Sequence, residues 1–125
     1  MKRMLLLPPL FLLAWCPVAT AQLMSVKHLK DFIAQGPNGE LTATAYVQGV
    51  TEGILGMDSL YQKEKKLPPE FCKFYEASAQ GKPIRHPAYR TKEIVAAWEK
   101  QGLPMTTPAV DMVLAFMTSQ YGCKR

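Results

Sequence analysis

Apolar residues recur at helical rather than strand spacing through most of this chain. From Ser25 to Gln35, Val26, Leu29, Phe32 and Ile33 fall on one stripe while Lys27, Lys30 and Asp31 turn away, and Ser25 stands where an N-cap belongs. Gly36-Pro37-Asn38-Gly39 ends that helix, and Asn38 is placed to cap the next. Between Glu40 and Gln62, Ala43, Tyr46, Val50, Ile54, Met57 and Tyr61 repeat at intervals of three and four, which predicts the longest helix of the chain. The charged run Gln62 to Lys66 carries it into solvent, and Leu67-Pro68-Pro69 ends it. A short helix follows from Pro69 to Gln80, with Pro69 in its first turn and Phe71, Phe74 and Tyr75 on its apolar side. Gly81 to Arg90 holds two prolines and a glycine, too many breakers for a regular element, and reads as an exposed, semi-rigid loop. Thr91 then caps a helix to about Gln101 whose buried edge is Ile94, Val95 and Trp98, with Gly102 just past its end. Thr107-Pro108 opens a last helix with Val110, Val113, Leu114, Met117 and Tyr121 on one face. No segment alternates as a strand, so the expected fold is all-α, a small bundle of four or five helices.

The first residues follow another logic. Lys2 and Arg3 precede the apolar run Leu5 to Val18, and Ala19-Thr20-Ala21 offers small residues at the two positions a signal peptidase inspects. The expectation is a signal peptide cleaved after Ala21 and a periplasmic location, with residues 22–125 as a single domain. Pro8, Pro9 and Pro17 interrupt the run, which falls short of the ~20 residues that span a bilayer, so no membrane association is expected after cleavage. Trp15 stands where a lipoprotein needs a small residue before Cys16.

Export changes the meaning of charge and cysteines. Removing Lys2 and Arg3 from the fifteen basic residues leaves thirteen against ten acidic ones, a mild excess. Eight of the thirteen fall between Lys63 and Lys92, which suits an acidic protein partner or anionic lipid better than nucleic acid, the least expected partner outside the cytoplasm. Cys72 and Cys123 are the cysteines left after Cys16 departs with the leader, and in an oxidising compartment a bridge between them is the expected reading. Gly49, Gly53 and Gly56 weaken the long helix, and that spacing is read as a packing notch for another helix, within the bundle or across a homodimer.

An export signal, a long helix carrying Tyr46-x-x-Gly49, then Phe71-Cys72, a helix with a central aromatic at Trp98, and a Pro108-led helix ending Tyr121-Gly122-Cys123 together resemble the Rap/Tai-type immunity proteins of type VI secretion. The resemblance runs from about Ala45 to Cys123. It implies a small, disulfide-bridged, all-helical periplasmic protein that binds and neutralises a peptidoglycan-cleaving amidase. The family more often has proline where this chain has Gly122, and the basic stretch Lys73 to Arg90 is longer than its pattern.

Catalysis is not expected. A hydrolase needs a nucleophile, a base within reach and a group that orients the base. His28 and His86 are the two histidines, and neither has a carboxylate neighbour in sequence. Glycine-rich phosphate loops, His-Glu-x-x-His pairs and acidic calcium loops are missing, so no metal or cofactor is implied. Occluding a partner's cleft asks less: a rigid scaffold presenting a loop. Lys82, Arg85, His86, Tyr89 and Arg90 offer charge and an aromatic anchor on the proline-stiffened loop, and are the candidate partner-binding residues. The alternative reading is a periplasmic acid-stress-type chaperone or another small exported binding protein. A chaperone of that type would call for more carboxylates or histidines than this chain carries.

Overall fold

A computed structural model describes residues 23 to 124 as five α-helices, α1 (Val26–Ala34), α2 (Pro37–Lys65), α3 (Cys72–Ala79), α4 (Thr91–Lys100) and α5 (Ala109–Tyr121), with a 3-10 turn at Pro87–Arg90. The export signal expected at residues 1–21 lies outside the described residues. The described residues form no strand, and one isolated bridge pairs Ser25 with Pro108. The all-α, disulfide-held bundle expected from the periodicity is the fold.

The start of α1 is fixed twice. Ser25 Oγ accepts from the His28 backbone N–H, while His28 Nδ1 accepts from the Ser25 backbone N–H at 3.1 Å, a capping box with histidine in the place usually held by Glu. The N–H groups of Val26 and Lys27, which the helix's own backbone leaves without partners, donate to the carbonyls of Thr107 and Met105 at 3.0 and 2.8 Å. These bonds fasten α1 to the turn before α5.

α2 begins earlier than its pattern suggests. Gly36, at φ 92°, is the N-cap, Pro37 takes the first helical position, and Asn38 lies inside the first turn rather than capping it. Proline's fixed φ suits that position, and glycine supplies the positive φ that turns α1 into α2. The buried stripe is Gly39, Ala43, Val47 and Thr51, with Asp58 beyond it. The larger residues of the sequence pattern sit to one side: Val50 and Ile54 are half-buried, and Met57 and Tyr61 are 48% and 40% exposed. Small residues take the inner position because neighbours come close. A Cβ at Gly39 would stand 2.0 Å from the Phe32 carbonyl oxygen.

Gly49, Gly53 and Gly56 do not serve as the expected notch within the chain. An added Cβ at any of them would meet nothing within 4 Å, because this side of α2 looks outward. Trp98 does pack, half-buried against the core with Nε1 donating to the Pro104 carbonyl at 3.1 Å.

Three further boundaries move. Pro69 and Glu70 are not helical: the Glu70 N–H donates to Oδ1 of the buried Asp58 at 3.1 Å, and α3 starts only at Cys72. Thr91 does not cap α4; it is that helix's first residue, and its hydroxyl donates to the Ala88 carbonyl at 2.7 Å. Pro108 precedes α5 as its N-cap, and the buried side of α5 is Ala109, Met112, Val113 and Met117, leaving Val110 half-buried and Leu114 43% exposed. Gly102 ends α4 as expected. Its N–H bonds the Glu99 carbonyl and that of Leu103 bonds the Trp98 carbonyl, a Schellman closure.

The core is where these stripes meet, with Val26 and Leu29 of α1, Val47 of α2, Ile94 and Val95 of α4, and Met112, Val113 and Met117 of α5 buried together. The Cys72–Cys123 disulfide, with Cα atoms 4.8 Å apart, clasps the start of α3 to the chain just beyond α5.

Candidate functional site

The segment from Gly81 to Arg90 leaves α3 through a second Schellman closure, in which Gly81, at φ 62°, donates to the Ser78 carbonyl and Lys82 donates to that of Ala77. It is only partly the loop expected. Residues 82–86 are irregular, but Pro87–Arg90 forms the 3-10 turn, and Pro87 and Ala88 are buried in contact with α2. Proline breaks longer helices yet starts this turn well, because its fixed φ fits and its missing N–H is not needed there.

The five candidate residues divide by direction. Tyr89 is 83% exposed, the most exposed large hydrophobic residue among those described. Lys82 and Arg85 also extend into solvent, and no ion pair engages either among the described residues. His86 is half-buried, and its Nδ1 accepts from the Ala88 N–H at 3.2 Å, which caps the 3-10 turn. Burial holds the His86 imidazole below its ordinary value near 6.5, against the opposing charge of Glu52. Arg90 is held internally: Nε donates to Glu93 Oε2 at 2.8 Å, and the guanidinium lies over the Phe116 ring, 5.1 Å from its centroid. That hydrogen bond and Arg90's charge, with a smaller contribution from Arg85, hold the Glu93 carboxyl below its usual range. Lys82, Arg85 and Tyr89 are thus presented, while His86 and Arg90 hold the segment that presents them.

A residue outside that set completes the support. The Tyr121 hydroxyl donates to the Arg85 carbonyl at 2.6 Å, and its ring stands edge-on to Phe74 and Phe116 with centroids 5.8 and 6.3 Å away. Periodicity places Tyr121 on the apolar face of the last helix but not its hydroxyl on the Arg85 carbonyl; the available signal is a large aromatic with a hydroxyl two residues before a bridged cysteine.

A cleft of about 370 Å³ opens beside the segment itself, lined by Glu40, Thr44, Tyr89 and Lys92, and other clefts flank the bundle. One of about 470 Å³ lies between α4 and α5, walled by Ile94, Trp98, Leu103 and Phe116 with Arg90 at its edge. Another, also about 470 Å³, is an open apolar groove between α2 and α5, lined by Val50, Gly53, Ile54, Met57, Tyr61 and Leu114. Among the described residues no group of three or more His, Cys, Asp or Glu side chains is arranged to hold a metal ion, and no helix is long and apolar enough to cross a membrane. Comparisons with protein-family models, with curated proteins and with solved structures each find nothing that matches this chain.

Proposed function

We propose that this chain is a periplasmic immunity protein that binds a peptidoglycan amidase delivered by type VI secretion and inhibits it by occluding the amidase's active-site cleft with the segment Gly81 to Arg90. The supporting observation is the pairing of an 83% exposed Tyr89 with a backbone already held by the 3-10 turn, the His86 cap and the Tyr121 bond. A protruding aromatic on an ordered segment gives up little conformational freedom on binding, so more of its contact energy appears as affinity. Lys82 and Arg85, exposed on the same segment, favour an acidic rim on the partner and speed encounter with it. The resemblance to the Rap/Tai-type immunity proteins suggests the partner class, and the leader expected at residues 1–21 suggests the compartment. In this reading the protein is not an enzyme; it acts stoichiometrically, and the outward side of α2 is left free for a second copy.

The test is binding and inhibition with a type VI secretion peptidoglycan amidase, sought first as an open reading frame adjacent to this gene. The oxidised chain is expected to block release of peptide from purified peptidoglycan at a one-to-one ratio of chain to amidase. Replacing Arg85 and Tyr89 with alanine should weaken binding by at least about 30-fold, the loss typical of truncating central anchor residues, with helicity unchanged. Undiminished affinity in that variant would remove the segment from the mechanism.

A further inference from the structure

Between the Schellman closure after α3 and the 3-10 turn, residues 83–85 make one hydrogen bond through their backbone among the described residues, that of the Arg85 carbonyl to the Tyr121 hydroxyl. The middle of the candidate segment is therefore tied to the bundle by a side chain from the last turn of α5. That last turn is weakly held by its own sequence. Thr118, Ser119 and Gln120 are exposed, no basic residue lies in it to oppose the helix dipole, and the chain leaves through Gly122 without a Schellman closure. It is secured from outside, by the Cys72–Cys123 bond and by the Cys123 N–H donating to the Glu70 carbonyl at 3.2 Å. Glu70 in turn is held through its own N–H by Asp58 of α2.

We propose that Tyr121 is the positioning residue of the Gly81 to Arg90 segment and that the disulfide keeps it in place, so that the segment holds its binding conformation only in the oxidised chain. The assignment of this segment as the binding element rests on the function proposed above; the coupling of the disulfide to the segment through Tyr121 does not. Reduction by a dithiol delivers two electrons and two protons. The Sγ–Sγ bond breaks, Cys72 and Cys123 become thiols, and the reductant closes into its own disulfide. The last turn of α5 then frays, Tyr121 leaves the Arg85 carbonyl, and residues 82–86 lose their fixed point while the buried Pro87 and Ala88 stay with the core. A chain still in a reducing compartment would in this way carry a slack recognition segment, and exchange after export with a protein disulfide, which accepts the two electrons and two protons and is reduced to its dithiol, would set it.

Limited trypsin digestion reads this without any partner. Arg85 is exposed and followed by His86, so the bond after it is a substrate whenever the local backbone opens, and the bond after Lys65 at the far end of α2 serves as the internal control. Tyr121→Phe keeps the ring between Phe74 and Phe116 and removes only the hydroxyl. It is expected to raise cleavage after Arg85 by about three- to tenfold, the factor set by one lost hydrogen bond, while cleavage after Lys65 and the far-UV helicity hold. The Cys72→Ser/Cys123→Ser double variant should raise cleavage after Arg85 by at least as much. Unchanged cleavage after Arg85 in Tyr121→Phe overturns the positioning role even if the double variant proves too unstable to compare. An increase in Tyr121→Phe but none in a folded double variant overturns the dependence on the disulfide. If both coupling results hold and the Arg85/Tyr89 alanine variant still binds the amidase, the coupling stands and the functional reading falls.

Discussion

Gly39 and Gly49 belong to the same helix, yet a methyl group added to each should have opposite effects. At Gly39 it would collide with the Phe32 carbonyl oxygen, a backbone atom that can yield only by shifting α1. Gly39→Ala is expected to destabilise the fold by about 1–3 kcal/mol, the usual cost of overpacking. At Gly49 the methyl meets open space and removes the entropic penalty of glycine in a helix interior. Gly49→Ala should therefore stabilise by about 0.5–1 kcal/mol, and urea midpoints at unchanged slope would show both signs. Loss of stability in Gly49→Ala would mean that the outward side of α2 is covered by something in solution. Sequence places Gly39 in the Gly36-Pro37-Asn38-Gly39 breaker cluster and Gly49 inside the long helix, but only the approach of α1 decides that a methyl group is excluded at the first and accommodated at the second.

Among the elements, α3 depends most on others. It spans eight residues, buries none of them fully, and lacks a side-chain cap, which is well short of what an isolated helix needs. Its place is set by the disulfide at its first residue and by the edge-on contact of Phe74 with Tyr121 of α5. Closing a loop with a sequence separation of 51 should stabilise the fold by about 4 kcal/mol in the chain-entropy model, a large share of the 5–15 kcal/mol typical of a domain. Chemical denaturation of the oxidised chain against the Cys72→Ser/Cys123→Ser variant measures it, and a difference under about 1 kcal/mol would show that α3 and the end of α5 are held without the bond. Surface ion pairs, such as Lys92 with Glu40 at 2.7 Å and Lys30 with Glu99, link α4 to α2 and to α1 but add at most about 1 kcal/mol each.

Stability against pH belongs to the whole molecule, and His86 gives it a direction. Its folded value lies below the ordinary 6.5, so the unfolded chain binds the proton more readily than the folded one. The resulting stability is full above pH 6.5, declines as pH falls through that value, and levels off below the folded value of His86. His86→Asn keeps an acceptor for the Ala88 N–H but does not titrate. Urea midpoints between pH 8 and pH 5 should fall more steeply in the wild-type chain than in this variant, and parallel curves would show that His86 does not carry the effect. The same histidine caps the part of the candidate segment that is not a loop: proline breaks a longer helix, whereas here Pro87 starts a short 3-10 turn that docks Pro87 and Ala88 on α2.

Helical periodicity and breaker residues were enough to give four or five helices and their order, and the expected leader, by leaving Cys72 and Cys123 as the remaining cysteines, gave the clasp between them, because each is a matter of neighbours in sequence or of pairing without choice. Which side of α2 turns inward was decided only on packing, where close approach favoured Gly39, Ala43 and Thr51 over the larger Met57 and Tyr61, and in α5 packing put Met112 inside and left Leu114 exposed. The ordering of the Arg85 backbone was likewise decided by a hydroxyl 36 residues away, and a contact at that separation leaves no periodic trace along the chain.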